Sequence, residues 1–309
     1  MNFILQLLLL TVGFAMLVKG ADFFVDGACW VAEKFRIPKL IIGLTIVAMG
    51  TSAPEAAVSL TSAAKGVADI TIGNIVGSNI MNILVILGLS AVIVPLNVPK
   101  STVRIEIPFM IFITALVYLV GMDGNVTFFD GIILALCFLL YLGYLFYSAR
   151  HNPEEAEEED DKVLKPWQAL LGLVGGLGLI LWGSDIAVDA ATEIARILGM
   201  SERLIGLTIV ALGTSLPELV TSVTAARKGN ADMAIGNIVG SNIFNILFVV
   251  GLSAMIIPVP FASAFLVDTL IALAVAVFLL VASLPRRRLN RVSGALMLLG
   301  YVAYLLYLL

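Results

Sequence analysis

The chain has 309 residues, of which 60% are hydrophobic and 13% charged, with a net charge of −4 and a mean hydropathy of +1.06. Soluble domains carry about 25% charged residues, so this balance excludes a soluble globular domain. Apolar stretches long enough to cross a bilayer, about 20 residues each, recur along the whole length and predict an all-α polytopic membrane protein.

Ten transmembrane helices are expected, at 2–20, 40–64, 70–94, 104–121, 128–148, 167–190, 203–226, 233–257, 263–284 and 292–309. The first opens "MNFILQLLLL", with no basic lead and no small-residue cleavage site, and reads as a span and not a removed signal. Helical pattern continues past the first and sixth spans, through "ADFFVDGACWVAEKF" and "SDIAVDAATEIARIL". Both extensions carry acids at matching places, Asp22 and Asp26 against Asp185 and Asp189. Cys29 and Cys137 lie far apart in apolar segments and offer neither a disulfide framework nor a metal spacing.

Shifted by 163 positions, the chain meets itself. Residues 42–60 match 205–223 at 13 of 19 positions, and 72–91 match 235–254 at 16 of 20. Two copies of one five-span unit follow: 1–149, with its motif at 42–91, and 167–309, with its motif at 205–254. An odd number of spans forces the second copy to enter from the opposite side, so the halves form two inverted five-helix repeats. Secondary transporters use that architecture, with the site near the midplane at the repeat interface. Alternating the loops between two sides puts fourteen Lys and Arg on one and only Lys65, Arg196 and Arg203 on the other. The basic side is cytoplasmic, which places both termini outside a cell membrane. The run "RRRLNR" at 286–291 reads as a topological anchor and not as a nucleic-acid contact. The acidic stretch at 150–166, with the lone histidine His151, reads as a solvated cytoplasmic linker.

Glu55 is the only charged residue between Lys39 and Lys65, and Glu218 the only one between Arg203 and Arg227. A charge at that depth costs at least about 2.5–3.5 kcal/mol on insertion scales. Pro54 and Pro217 lack an N–H, so the carbonyls of Gly50 and Gly213 lose their helical donors; such oxygens are tolerated in a membrane where they line a cavity or meet a cation. Thr51, Ser52, Thr214 and Ser215 add hydroxyls. Carboxylate, carbonyl and hydroxyl oxygens suit calcium or sodium. The competing reading is structural: Ser52-x-x-Glu55 and Ser215-x-x-Glu218 are formal capping boxes that would restart a kinked helix. The second repeated motif, "IGNIVGSNIMNI" and "IGNIVGSNIFNI", carries Asn74, Ser78, Asn79 and Asn82, matched by Asn237, Ser241, Asn242 and Asn245. Ser78 and Asn82 share a helical face, as do Ser241 and Asn245. Interhelical hydrogen bonding or an uncharged wall of an oxygen cage would both use them. Gly73-x-x-x-Gly77 and Gly236-x-x-x-Gly240 predict close helix approach.

"GTSAPE" and "GTSLPE", each followed by "GNIVGSN", resemble the α-repeats of the sodium/calcium exchangers in the cation/calcium antiporter superfamily. The resemblance implies a central site where calcium alternates with several sodium ions. It assigns the site to Ala48, Thr51, Ser52, Glu55, Ser78 and Asn82, with Ala211, Thr214, Ser215, Glu218, Ser241 and Asn245. Some members carry Asp where this chain has Asn245. The function expected is a sodium/calcium antiporter working by alternating access, electrogenic and potassium-independent, and not an enzyme. Its partners are calcium and sodium ions and the lipid bilayer, with no cofactor and no obligate protein partner. Two close carboxylates can also hold a proton, so a proton-coupled calcium antiporter is the alternative.

Overall fold

In a computed structural model, described at residues 3–151, 165–200, 209 and 211–308, the chain is almost wholly helical. Among the described residues, eight helices are long and apolar enough to cross a membrane: α1 (Phe3–Phe35), α4 (Ile70–Ile93), α5 (Thr102–Gly121), α6 (Phe128–His151), α7 (Pro166–Ile197), α10 (Ala231–Ile256), α11 (Ser263–Ser283) and α12 (Arg291–Leu308). Between α1 and α4 runs a broken span, α2 (Lys39–Thr51) and α3 (Ala53–Ala64), bent by 50°. Its counterpart is α8 (Ala211–Thr214) and α9 (Leu216–Arg227). Most of the residues at 201–210, where the expected seventh span begins, lie outside the described residues, as does the linker from 152 to 164.

The first and sixth helices take up the extensions noted in the sequence. α1 has 33 residues and α7 has 32. At 1.5 Å per residue each is about 50 Å long, against a hydrocarbon core of about 30 Å, so both must tilt or protrude. They lie against each other along a seam of glycines. Gly13, Gly20 and Gly27 recur every seventh residue. A Cβ at Gly20 would stand 2.8 Å from the Gly176 carbonyl oxygen, and one at Gly13 would stand 2.8 Å from that of Gly183. Only backbones without side chains come this close.

That seam obeys the shift of 163: Gly13 meets Gly183 while Gly20 meets Gly176. Four two-residue strands do the same. β1 (Leu96–Asn97) pairs with β4 (Arg288–Leu289), and β2 (Asn125–Val126) with β3 (Val259–Pro260). Leu96 faces Leu289, and Val126 faces Val259. The Val98 amide donates to the Arg287 carbonyl, and that of Phe261 to Gly124, each at 2.8 Å. Each of these seam and strand contacts from the first half to the second is answered by one with the roles exchanged, the pattern that a two-fold relation produces.

The core lies on the second-motif helices. Within their most apolar windows, α4 and α10 are 78% and 83% buried, against 17–39% for the other long helices. Gly236 and Gly240 let α10 approach α2: a Cβ at Gly240 would stand 2.7 Å from Leu44 backbone atoms. A Cβ at the equivalent Gly77 would meet nothing within 4 Å among the described residues.

A candidate ion site at the broken helices

The chain bends at Ser52 (φ −80°, ψ 8°) and at Ser215 (φ −91°, ψ 4°), each immediately before a half-helix carrying a proline in its first turn. Proline is preorganised for that position, where its missing N–H costs nothing. Glu55 and Glu218 therefore stand in the first turn of α3 and α9, where the helix dipole favours negative charge. Both are fully buried. Among the described residues, no lysine, arginine or histidine forms an ion pair with either.

Neither serine caps its own helix. The capping boxes read in the sequence are therefore not formed; the hydroxyls cross to the other half. Ser52 Oγ donates to Glu218 Oε1 at 2.8 Å, and Ser215 Oγ to Glu55 Oε1 at 3.4 Å. Ser78 Oγ also donates to Glu55 Oε1, at 3.3 Å, and lies 3.2 Å from Ser215 Oγ. Thr51 Oγ1 donates to Asn237 Oδ1 at 3.1 Å. Ser241 Oγ lies 3.4 Å from the Ala48 carbonyl oxygen. Asn74 and Asn237 serve the broken helices directly, their amides donating to Ser59 Oγ at 3.0 Å and Ser222 Oγ at 2.9 Å.

One expectation needs correction. The Gly213 carbonyl, freed by Pro217, is not bare: Ser184 Oγ of α7 donates to it at 3.0 Å. The first half has Ala21 at the position equivalent to Ser184 and so no hydroxyl for that role. Thr214 is half-buried beside the cluster. It lines a cleft of about 460 Å³ with Ala53, Pro54, Ser184, Asp185 and Asp189. Ala211 begins α8, next to the cluster in sequence.

The asparagines form a reciprocal lattice at the crossing of α4 and α10. Asn79 Nδ2 donates to the Asn242 carbonyl, and Asn242 Nδ2 to that of Asn79, both at 3.2 Å. Asn82 Nδ2 donates to Asn242 Oδ1 at 2.9 Å, and Asn245 Nδ2 to Asn79 Oδ1 at 3.1 Å. Asn79 and Asn242 thus occupy the donor groups of Asn82 and Asn245 and leave their oxygens free. The resemblance does not assign this pair; its sequence signal is the three-residue spacing to Asn82 and Asn245. Wide π-helical turns begin at Asn82 and at Asn245 and run to Leu87 and Val250. Such turns recur at functional sites and leave no mark in composition.

Within this cluster, among the described residues, four buried acceptors are without a donor: Glu55 Oε2, Glu218 Oε2, Asn82 Oδ1 and Asn245 Oδ1. They form two pairs related by the shift of 163. A buried polar atom left unpaired costs about 1–3 kcal/mol, and an unpaired carboxylate costs more. This donor set is hard oxygen of net charge −2, and it fits calcium or sodium as bound cargo.

The family model described as sodium/calcium exchanger protein matches residues 5–147 and 168–309. The chain is similar to the sodium/calcium exchanger MaX1 of Methanosarcina acetivorans, 31% identical over 97% of each chain. It is also similar to the inner membrane protein YrbG of Escherichia coli, 40% identical over 81% of this chain and 79% of that one. A solved structure of the sodium–calcium exchanger NCX_Mj, soaked without sodium or calcium, superimposes with a TM-score of 0.87 at 31% identity, covering 100% of both chains.

Proposed function

Because this chain belongs to the sodium/calcium exchanger family of membrane antiporters, we propose that it exchanges sodium for calcium by alternating access around Glu55 and Glu218. Ten spans in two inverted five-helix repeats, with both termini extracytoplasmic in a cell membrane, would carry the site. The observation that supports it best is the set of four donorless oxygens, two of them from carboxylates. Two carboxylates balance one calcium ion. Filling the same cage with sodium takes two or more ions, so competing occupancy follows from charge. The sodium/calcium exchanger name of MaX1 favours sodium as the counter-ion over the proton. The ligand set is Glu55, Glu218, Ser52, Ser215, Ser78, Ser241, Asn82 and Asn245, with Thr51, Thr214 and the carbonyls near Ala48 and Ala211.

The test is calcium-45 uptake into sodium-loaded proteoliposomes. Uptake should collapse when external sodium matches internal sodium, and an imposed pH gradient in sodium-free medium should drive none. Accumulation driven by the pH gradient alone would support the proton-coupled alternative. An inside-negative potential left as sodium leaves would show net charge movement.

Potassium should not be required. With amides at Asn82 and Asn245, the two glutamates alone set the site charge, and no further cation is needed to neutralise it. Sodium-driven flux should persist when choline replaces potassium. Asn245→Asp adds a third buried carboxylate that must take up a proton or another cation, so its flux should become pH-sensitive. An unchanged pH profile would place Asn245 outside the cage.

Asn79→Ala removes the acceptor that holds the Asn245 amide. The freed amide can turn an N–H toward the ion, and calcium affinity should fall about tenfold, the equivalent of one hydrogen bond of about 1.4 kcal/mol. Titration calorimetry on purified protein checks this; unchanged affinity would make Asn79 a packing residue only.

A further inference from the structure

Two lysines sit at equivalent helix ends. α3 closes through Lys65 and Gly66 (φ 77°), with the Val67 amide donating to the Ser62 carbonyl at 2.9 Å. α9 closes through Lys228 and Gly229 (φ 82°), with Asn230 donating to Ala225 at 2.9 Å. A left-handed glycine after the last turn fixes the helix end in both cases. The two lysines are 163 residues apart and so occupy the same position in the two repeats.

Their surroundings differ. Lys228 Nζ lies 2.7 Å from Asp26 Oδ1 and 3.4 Å from Asp22 Oδ1, and it donates to the Asp22 carbonyl at 2.9 Å. It ties the end of α9 to α1. The corresponding partners for Lys65 are Asp185 and Asp189 on α7. Those acids instead line the cleft that separates α7 from Ala53, Pro54, Ala57 and Val58 of α3. Lys65 is exposed, and among the described residues it forms no ion pair with them. One ion-pair cluster is closed, and its mate is parted by an open cleft.

We propose that Lys65 and Lys228 are alternating gates. Lys228 bridges Asp22 and Asp26 while the cleft between α3 and α7 is open. In the opposite-facing state Lys65 bridges Asp185 and Asp189 across the closed cleft, and Lys228 lets go. Each bridge is partly exposed, so it biases the two states without locking either, as rapid turnover requires. The gates rest on the alternating-access reading above.

The test uses two matched double variants of the full chain in proteoliposomes, Asp26→Cys with Lys228→Cys and Asp189→Cys with Lys65→Cys, each with Cys29→Ser and Cys137→Ser. A short bifunctional thiol reagent should link both pairs. Linking the first should leave an Ala57→Cys in the cleft open to a soluble maleimide; linking the second should shield it at least about fivefold, as a shift of population toward the closed cleft requires. Linking is scored on gels and does not depend on flux. If the first pair links and the second does not under any sodium or calcium condition, the gates are overturned. The same holds if linking the second leaves Ala57→Cys equally reactive. If both pairs link as expected while the unsubstituted protein shows no sodium-driven calcium flux, the gates stand and the antiport reading fails.

Discussion

Glu218→Gln should abolish sodium-driven calcium uptake, and Glu55→Gln should do the same. Each substitution keeps the shape of the side chain and removes one of the two negative charges in the cluster. A unit charge about 4 Å from a counter-ion is worth about 4 kcal/mol at an effective dielectric constant of 20. Losing that attraction to a divalent ion corresponds to about a thousandfold in affinity or more, below any useful flux. The protein should still fold. Ser52 Oγ can donate to a glutamine oxygen as it does to Glu218 Oε1, and a buried charge with no cationic side chain beside it among the described residues disappears. Ion-free protein in detergent should therefore melt no lower than the unsubstituted chain, while added calcium should no longer raise the melting temperature. Substantial calcium flux in either variant would remove that glutamate from the site.

Gly176→Ala should be nearly as damaging, by a different route. A Cβ there would stand 2.6 Å from the Phe24 amide nitrogen and 2.8 Å from the Gly20 carbonyl oxygen. Backbone atoms cannot rotate away, so α1 and α7 must part. Overpacking of this kind costs about 1–3 kcal/mol. We expect a melting temperature several degrees lower and flux reduced at least tenfold, because the seam separates the long helices that flank the broken ones. Gly175 and Gly178 on the same helix supply the control: a Cβ at either meets nothing within 4 Å. Gly175→Ala and Gly178→Ala should transport normally and gain up to about 1 kcal/mol of helix propensity. Equal effects at all three positions, measured by thermal melts and calcium-45 uptake, would show that the seam tolerates widening.

The helical architecture and the broken spans were legible because apolar length and a proline behind a buried acid are local signals. The shift of 163 was legible because the repeat has drifted little. Its spatial consequence, contacts that exchange partners between halves, needed coordinates: nothing in "GTSAPE" says that Ser52 reaches Glu218 and not its own helix. The same limit explains the misreading at Gly213. Its freed carbonyl follows from Pro217, but the donor that satisfies it, Ser184, is 29 residues away on a helix whose rotation the sequence does not fix. The α1–α7 seam stood in the text as glycines seven apart, a spacing easily lost in a chain with 27 of them. The π-helical turns at Asn82 and Asn245 leave no signal in apolar length or periodicity.

The exchanged contacts bear on energetics as well as shape. If the halves were identical, swapping their conformations would give back the same molecule turned over, and the two states would be degenerate. Any preference for one state must then come from the positions where the halves differ. Around the site these are few. Ser184 secures the Gly213 carbonyl at 3.0 Å, where Ala21 can do nothing for Gly50. Leu212 and Leu216 stand where the first half has Met49 and Ala53. A single hydroxyl bonded in one state and not in the other is worth about 0.5–1.5 kcal/mol, enough to tilt a balanced pair of states severalfold. On the alternating-access proposal, sidedness in this chain is written in its imperfections as a repeat, and making Ala21 and Ser184 alike should bring the two states closer to parity.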